Sequence, residues 1–308
     1  MKIDDQISAW LLEGDVSIQY QVHRDLLGSE LPALKERIAR EGWGAQFLAA
    51  RRENGHWGRD FYQPKWISTH YSLLDIKNLG FPSDHPQMAE SVAIILRDRK
   101  GADGGINPSA TIPQSDVCIN GMFLNYACYF GAQETDLRSI VDFVISQHMP
   151  DGGFNCRFNR QGAVHSSMHS TISLLEGILE YATNGYQYRL AELEEIAAQA
   201  REFLLLHHLF RSHRTGETID RRMTMLSYPS RWYYDILRAL DSFRAAGIAY
   251  DPRMGPALDI LKSKQRKDGK WPLQARHPGQ VHFDMEKPGG PSRWNTLRAL
   301  RVWKQYEY

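Results

Sequence analysis

A chain of 308 residues, 42% hydrophobic and 24% charged, holds enough apolar material for a large core and does not have the composition of a disordered polymer. Its 37 Lys plus Arg nearly balance its 36 Asp plus Glu, which leaves no electrostatic case for nucleic acid or an anionic membrane. No apolar run approaches the roughly 20 residues of a membrane span, and the start, Met1-Lys2-Ile3-Asp4-Asp5, lacks the apolar stretch of a signal peptide. Cys118, Cys128 and Cys156 show no framework spacing, so a reducing cytoplasm is expected. Oligomeric state is left open.

In chain order, residues Ile7 to Leu27 and Pro32 to Ala50 predict an N-terminal pair of helices. A glycine signature then recurs. It reads Asn54-Gly55-His56-Trp57-Gly58, Asp103-Gly104-Gly105, Asp151-Gly152-Gly153-Phe154 and Asp268-Gly269-Lys270-Trp271, with a degenerate copy at Arg214-Thr215-Gly216-Glu217. Asp-Gly is a turn dipeptide because glycine takes positive φ without steric cost. Before the turns stand segments with apolar residues at three- and four-residue steps, such as Ser139 to Gln147 and Ala257 to Gln265, which predict amphipathic helices. After each turn come an irregular loop and a second, more uniformly apolar helix, opening near Trp66, Asp116, His169, Ser230 and Ser292. These second helices are expected to be the more buried set. No segment alternates convincingly as a strand, and no linker divides the chain. The expectation is one all-α domain over 1–308, an (α/α) toroid of about five to six hairpins, with residues 1–50 completing the ring.

The signatures Gln147-His148-Met149-Pro150-Asp151-Gly152-Gly153-Phe154 and Gln265-Arg266-Lys267-Asp268-Gly269-Lys270-Trp271 resemble the Gln–Trp repeats of squalene–hopene cyclases. They are also similar to the turns of protein prenyltransferase β subunits. The resemblance spans roughly residues 45 to 305. It implies a central apolar cavity with the N-termini of the second helices at one mouth, and a hydrophobic, isoprenoid class of substrate.

Asp116-x-Cys118 and His169 open successive second helices. A carboxylate, a thiol and an imidazole suit a three-ligand Zn²⁺ site with an open fourth position. The prenyltransferase β subunits look similar at these positions, and the resemblance implies zinc that activates a substrate thiol. The competing reading is an N-capping Asp, a buried structural Cys and a polar His at a helix end. His165, one turn before His169, is an alternative or outer ligand. On the zinc reading, a thiol lowered in pKa by the helix N-terminus is expected. Replacing Cys118 is then expected to abolish the metal, while replacing Cys128 or Cys156 is not. The stretch before Asp116, Ala110 to Ser115, carries no charge, unlike the basic diphosphate-gripping stretch of those enzymes.

The cyclases use an Asp-x-Asp-Asp acid, which this chain lacks. The nearest candidates are Asp220 and Asp235, and a lone Asp beside arginines is expected to be ionised. Polyene cyclisation is thereby disfavoured. Pro229-Ser230-Arg231-Trp232 and Pro291-Ser292-Arg293-Trp294 share one tetrapeptide. Arg231, Trp232, Tyr233, Tyr234, Arg293 and Trp294 are candidate substrate contacts through charge and stacking, with loop-carbonyl binding and packing as the alternative. Trp66, His70 and Tyr71 are the first-repeat counterparts: Trp66 and Tyr71 are candidate wall residues and His70 a candidate fourth metal ligand, an acid–base group or a hydrogen-bonded core His. Glu176, inside an apolar helix, must be paired and is a structural partner or a catalytic acid. Arg24-Asp25 reads as an ion pair across hairpins. Two other function classes stay open. One is a carbohydrate hydrolase or lyase using Glu176 or Asp235, and the other is a non-enzymatic lipid- or partner-binding toroid.

Overall fold

A computed structural model describes residues 4–109 and 111–306. The chain is all-α: no strand occurs among the described residues, only isolated bridges. The helices are α1 (Asp5–Leu12), α2 (Val16–Gln21), α3 (Pro32–Arg37), α4 (Gly42–Ala49), α5 (Thr69–Asn78), α6 (Pro86–Asp98), α7 (Val117–Tyr129), α8 (Glu134–Ser146), α9 (Phe158–Gln161), α10 (Met168–Thr183), α11 (Leu190–Leu206), α12 (Ile236–Ala245), α13 (Gly255–Ser263) and α14 (Arg293–Tyr306). None of them is long and apolar enough to cross a membrane.

The five expected helix–turn–helix repeats are present in order, as α4 and α5, α6 and α7, α8 and α10, α11 and α12, and α13 and α14. Gly55, Gly104, Gly152, Gly216 and Gly269, between the two helices of each repeat, all have positive φ. A shared hydrogen bond explains why the signature repeats. The backbone N–H two residues past the turn glycine donates to a side chain near the start of the second helix. Trp57 donates to Thr69 Oγ1 (3.1 Å), Ile106 to Asn120 Oδ1 (2.7 Å), Phe154 to Thr171 Oγ1 (3.0 Å) and Trp271 to Thr296 Oγ1 (2.9 Å). Each bond satisfies a buried backbone donor and ties the turn to the helix that follows. The second helices are the more buried set, as expected. Eleven of the 13 residues of α7 are buried, against four of 13 in α6.

The N-terminal pair departs from its expectation, because each predicted helix is broken. Asp15 accounts for the first break: its Oδ1 accepts the Ser17 N–H at 2.9 Å and caps α2, while its Oδ2 accepts the Trp43 N–H at 2.8 Å near the start of α4. A side chain used as an N-cap competes with continuous helix.

The chain divides into two compact units. The first comprises residues up to Ala50, Asn78–Pro82 and everything from Leu205 onward; the second comprises Arg51–Lys77 and Ser83–Leu204. In the second unit, α7 and α10 meet backbone to backbone. A Cβ on Gly177 would lie 2.3 Å from the Gly121 carbonyl oxygen, and one on Gly121 2.6 Å from that of Ser173. In the first unit, the C-terminal α14 is tied to the N-terminal segment by charge. Arg301 reaches Asp25 (2.8 Å), the Gln21 amide oxygen (3.1 Å) and Asp241 (2.6 Å), and Lys304 donates to the carbonyls of Asp25 and Leu26. Arg24 pairs with its own neighbour Asp25 at 2.6 Å, and it is Arg301 that supplies the Asp25 partner from another helix.

Candidate metal centre

Asp116 is the N-cap of α7. Its Oδ1 accepts the backbone N–H of Cys118 at 3.1 Å and of Ile119 at 3.3 Å, which places the thiol in the first turn of that helix. The third donor comes from the turn after α8. Cys156 Sγ accepts the Cys118 N–H at 3.1 Å and the Ser170 hydroxyl at 3.2 Å, and the Cys156 N–H donates to Ser170 Oγ at 3.1 Å. The Cys118 thiol donates to Asp116 Oδ1 at 3.1 Å. One carboxylate oxygen and two sulfurs thus lie within 4.8 Å of one another, all half-buried. Tetrahedral zinc with bonds of about 2.0–2.3 Å spaces its ligands roughly 3.5–3.8 Å apart, so the donor set fits in chemistry, and its spread of at most 4.8 Å exceeds that spacing by no more than about 1 Å. Two sulfurs and one oxygen favour zinc over hard cations such as Mg²⁺.

The set differs from the expected one. Cys156 joins Asp116 and Cys118, and His169 is not in the group. The reason is helical phase: Ser170 turns its hydroxyl toward Cys156, and the neighbouring residue on α10 projects about 100° away around the axis. His165 is exposed and contributes its carbonyl to the Asn155 amide. The expectation for Cys118 is also reversed. Its thiol is pushed well above its ordinary range, first by the hydrogen bond with Cys156, then by burial and by the Asp116 carboxylate. A crowd of like-charged donors outweighs the helix N-terminus, and a bound cation inverts that balance.

Neighbours brace the centre. Arg160 Nη1 lies 3.3 Å from Asp116 Oδ2 and Nη2 donates to the Gln114 carbonyl at 3.1 Å, while the Asn159 amide donates to the Ser115 carbonyl at 3.0 Å. On the other side stands an aromatic wall. Trp66 meets Tyr71 edge-on at 4.8 Å, and the hydroxyls of Tyr62 and Tyr71 lie 3.2 Å apart. Lys65 sits 4.8 Å over the Trp66 ring; burial lowers its pKa, and the charges of Cys118 and Asp116 pull it back up. Burial raises Tyr62 and Tyr71, and Cys118 and Asp116 add to both shifts. Trp66 and Tyr71 are both buried, and Tyr71 lies within reach of the charges of Cys118 and Asp116.

His70 is fully buried. Its Nδ1 faces the Tyr126 hydroxyl at 3.1 Å, and its Nε2 has no hydrogen-bond partner among the described residues. Burial, helped by the charge of Lys65, pulls its pKa down to about 3. It is a neutral imidazole at pH 7, so the structure favours the core reading over acid–base work near neutrality. Glu176 is half-buried on α10.

The remaining candidates lie in the first unit. Arg231 is buried, with φ at 57°. Its carbonyl and that of Tyr233 accept from Arg238 Nη1. Trp232 stacks on Tyr233 at 3.9 Å, and Tyr233 on His277 at 3.7 Å. Arg231, Phe47, Tyr228, His282 and Glu286 help to line a small cleft. Tyr234 instead donates its hydroxyl to the Leu209 carbonyl at 2.5 Å and is buried. Arg293 and Trp294 take the packing alternative. Arg293 donates to the Trp10 carbonyl at 2.9 Å and lies over the Trp10 ring at 4.6 Å, and Trp294 is stacked between Trp43 and Tyr228. Asp235 caps α12 by accepting the Arg238 N–H at 2.8 Å and is buried. Burial raises its pKa against the pull of Arg298, contrary to the expectation of a carboxylate held down by arginines. Asp220 pairs with Arg222 at 2.5 Å.

No protein-family model and no curated protein matches the chain. Among solved structures, the type II terpene cyclase MstE from Scytonema is similar over 88% of this chain and 96% of its own, at 13% identity and a TM-score of 0.36. A single-substitution variant of the same cyclase gives 88% and 95%, 14% identity and a TM-score of 0.37.

Cys156, Arg160, Tyr62 and Lys65 were not legible as site residues. The one available signal for Cys156 was its place two residues beyond Phe154, whose N–H the repeat ties to the start of the second helix.

Proposed function

We propose that this chain is an enzyme acting on a hydrophobic, isoprenoid-class substrate at a zinc centre held by Asp116, Cys118 and Cys156. The observation that carries this reading is the convergence of two thiols and one carboxylate within 4.8 Å, each only partly buried, with an aromatic cluster of Trp66, Tyr62 and Tyr71 whose two tyrosines feel the charges of Cys118 and Asp116. Three protein ligands leave a fourth position for a reacting group, the arrangement of catalytic rather than structural zinc. Bound zinc supplies Lewis acidity, or lowers the pKa of a coordinated thiol or water. The chain's own part is positioning. Asp116 fixes Cys118 through the N-terminus of α7, Ser170 orients Cys156, and Arg160 braces the outer oxygen of Asp116. The aromatic wall offers apolar faces, with the Tyr62 and Tyr71 hydroxyls as its polar points. The resemblance of Asp116-x-Cys118 to prenyltransferase β subunits supports the substrate class.

Metal analysis of the reduced, gently purified protein tests the centre. About one zinc per chain is expected. Cys118→Ser, Cys156→Ser and Asp116→Asn are each expected to lower zinc affinity by at least 10-fold, whereas His169→Ala and Cys128→Ala retain it. A folded, metal-free wild type that takes up no added zinc would sink the reading.

One observation favours a second reading, polyene protonation: Asp235 is buried with its pKa raised. Asp235→Asn then abolishes turnover of a polyprenyl substrate while leaving zinc content unchanged. Unaltered turnover rules this out.

A further inference from the structure

We propose that Cys118 and Cys156 are also an oxidisable dithiol, a modification site at which a peroxide closes an intramolecular disulfide and expels the metal. The dithiol stands on its own geometry; the expulsion of metal rests on the zinc reading above. The two sulfurs lie within 4.8 Å and neither is fully buried. They are also mounted differently. Cys118 belongs to the first turn of α7, whose backbone is locked against α10 at Gly121 and Gly177. Cys156 lies in the turn ahead of the four-residue α9, so it is the sulfur that moves to close the remaining gap to bonding distance. No third thiol competes: Cys128 is 1% exposed and sits ten residues further along α7, about 15 Å away along the helix axis.

The chemistry balances with one peroxide. One sulfur attacks a peroxide oxygen, the O–O bond breaks and a sulfenic acid forms, with the other peroxide oxygen leaving as hydroxide. The second sulfur then attacks the sulfenic sulfur, the S–S bond forms, and the sulfenic hydroxyl leaves as a second hydroxide. Two thiolates are oxidised by two electrons and one peroxide is reduced. Two anionic ligands disappear, so only Asp116 is left to hold the cation.

The experiment uses the full chain, reduced and loaded with zinc, and then exposed to hydrogen peroxide. Free thiols, zinc captured by a chromogenic chelator, and the unreduced peptide map are read together. Free thiols are expected to fall from three per chain to one, with loss of the bound zinc and a Cys118–Cys156 linked peptide, all reversed by dithiothreitol. Cys128→Ala is expected to form the same linkage at the same rate. Cys156→Ser is expected to form no intramolecular disulfide. Thiols that survive the peroxide, that end as sulfinic acid, or that pair between chains overturn the proposal, whether or not zinc binds. A reduced protein that binds no zinc yet still closes the Cys118–Cys156 bond refutes the metal centre and leaves the dithiol standing.

Discussion

Adding one methyl group at Gly177 tests the packing that positions the centre. A Cβ there meets the Gly121 carbonyl oxygen at 2.3 Å, with the Gly121 carbonyl carbon at 3.0 Å and its Cα at 3.2 Å. All three obstacles are backbone atoms of α7, so no side chain can swing aside. Ordinary contact begins at 3.4 Å, and the two helices must therefore separate by about 1 Å. Overpacking of this kind costs roughly 1–3 kcal/mol. Alanine recovers about 0.5–1 kcal/mol over glycine in a helix interior. Because both walls of the contact are main chain, the cost belongs at the upper end, and Gly177→Ala is expected to lose about 2 kcal/mol in denaturant unfolding. The same shift moves Cys118 on α7 relative to Ser170 on α10, so zinc affinity is expected to fall with stability. A Gly177→Ala protein that is as stable as wild type, or gains the helix-propensity increment, would refute the backbone-to-backbone contact.

Further outcomes follow from the buried charges. His70 has a folded pKa of about 3 against roughly 6.5 unfolded. Its neutral form is thus favoured in the folded state, and the stability it contributes is complete above pH 6.5 and lost as pH falls from there toward 3. The slope approaches about 1.4 kcal/mol per pH unit in that window; His70→Phe should flatten it, and an unchanged slope in unfolding titrations would count against the buried imidazole. Burial alone would raise the Asp241 pKa, but Arg301, Arg244 and Arg298 hold it well below the usual carboxylate range. Stability from that network is fully present above about pH 4 and lost only in stronger acid. Arg301→Leu removes the cation shared by Asp241 and Asp25, though Arg244 and Arg298 stay beside the first and Arg24 beside the second, and is expected to cost about 1.5–3 kcal/mol. A loss below about 1 kcal/mol would show that the Arg301 network is not what holds α14 to the N-terminal segment.

The repeats were legible from residue type and spacing alone because their causes are local. Asp-Gly turns and three- and four-residue apolar steps act within one hairpin; the Thr or Asn that ties the turn to four of the five second helices is a feature the structure added. The sequence also marked Asp116-x-Cys118, since an N-cap and a residue in the first turn of its helix are bound to be neighbours. Tertiary structure decided the rest. Cys156 and His169 stand 38 and 51 residues from Cys118, and nothing local says which of them arrives. That choice is made by the phase of α10, which turns Ser170 rather than His169 toward the sulfurs, and by the Gly121–Gly177 contact that sets the distance between the two helices. The two Pro-Ser-Arg-Trp copies make the same point. Arg231 lines a cleft beside Phe47 of α4, while Arg293 packs on Trp10 of α1, because different parts of the N-terminal segment lie against the two copies. Identical tetrapeptides acquire different roles from what folds over them, and long-range packing is information that spacing along a chain does not carry.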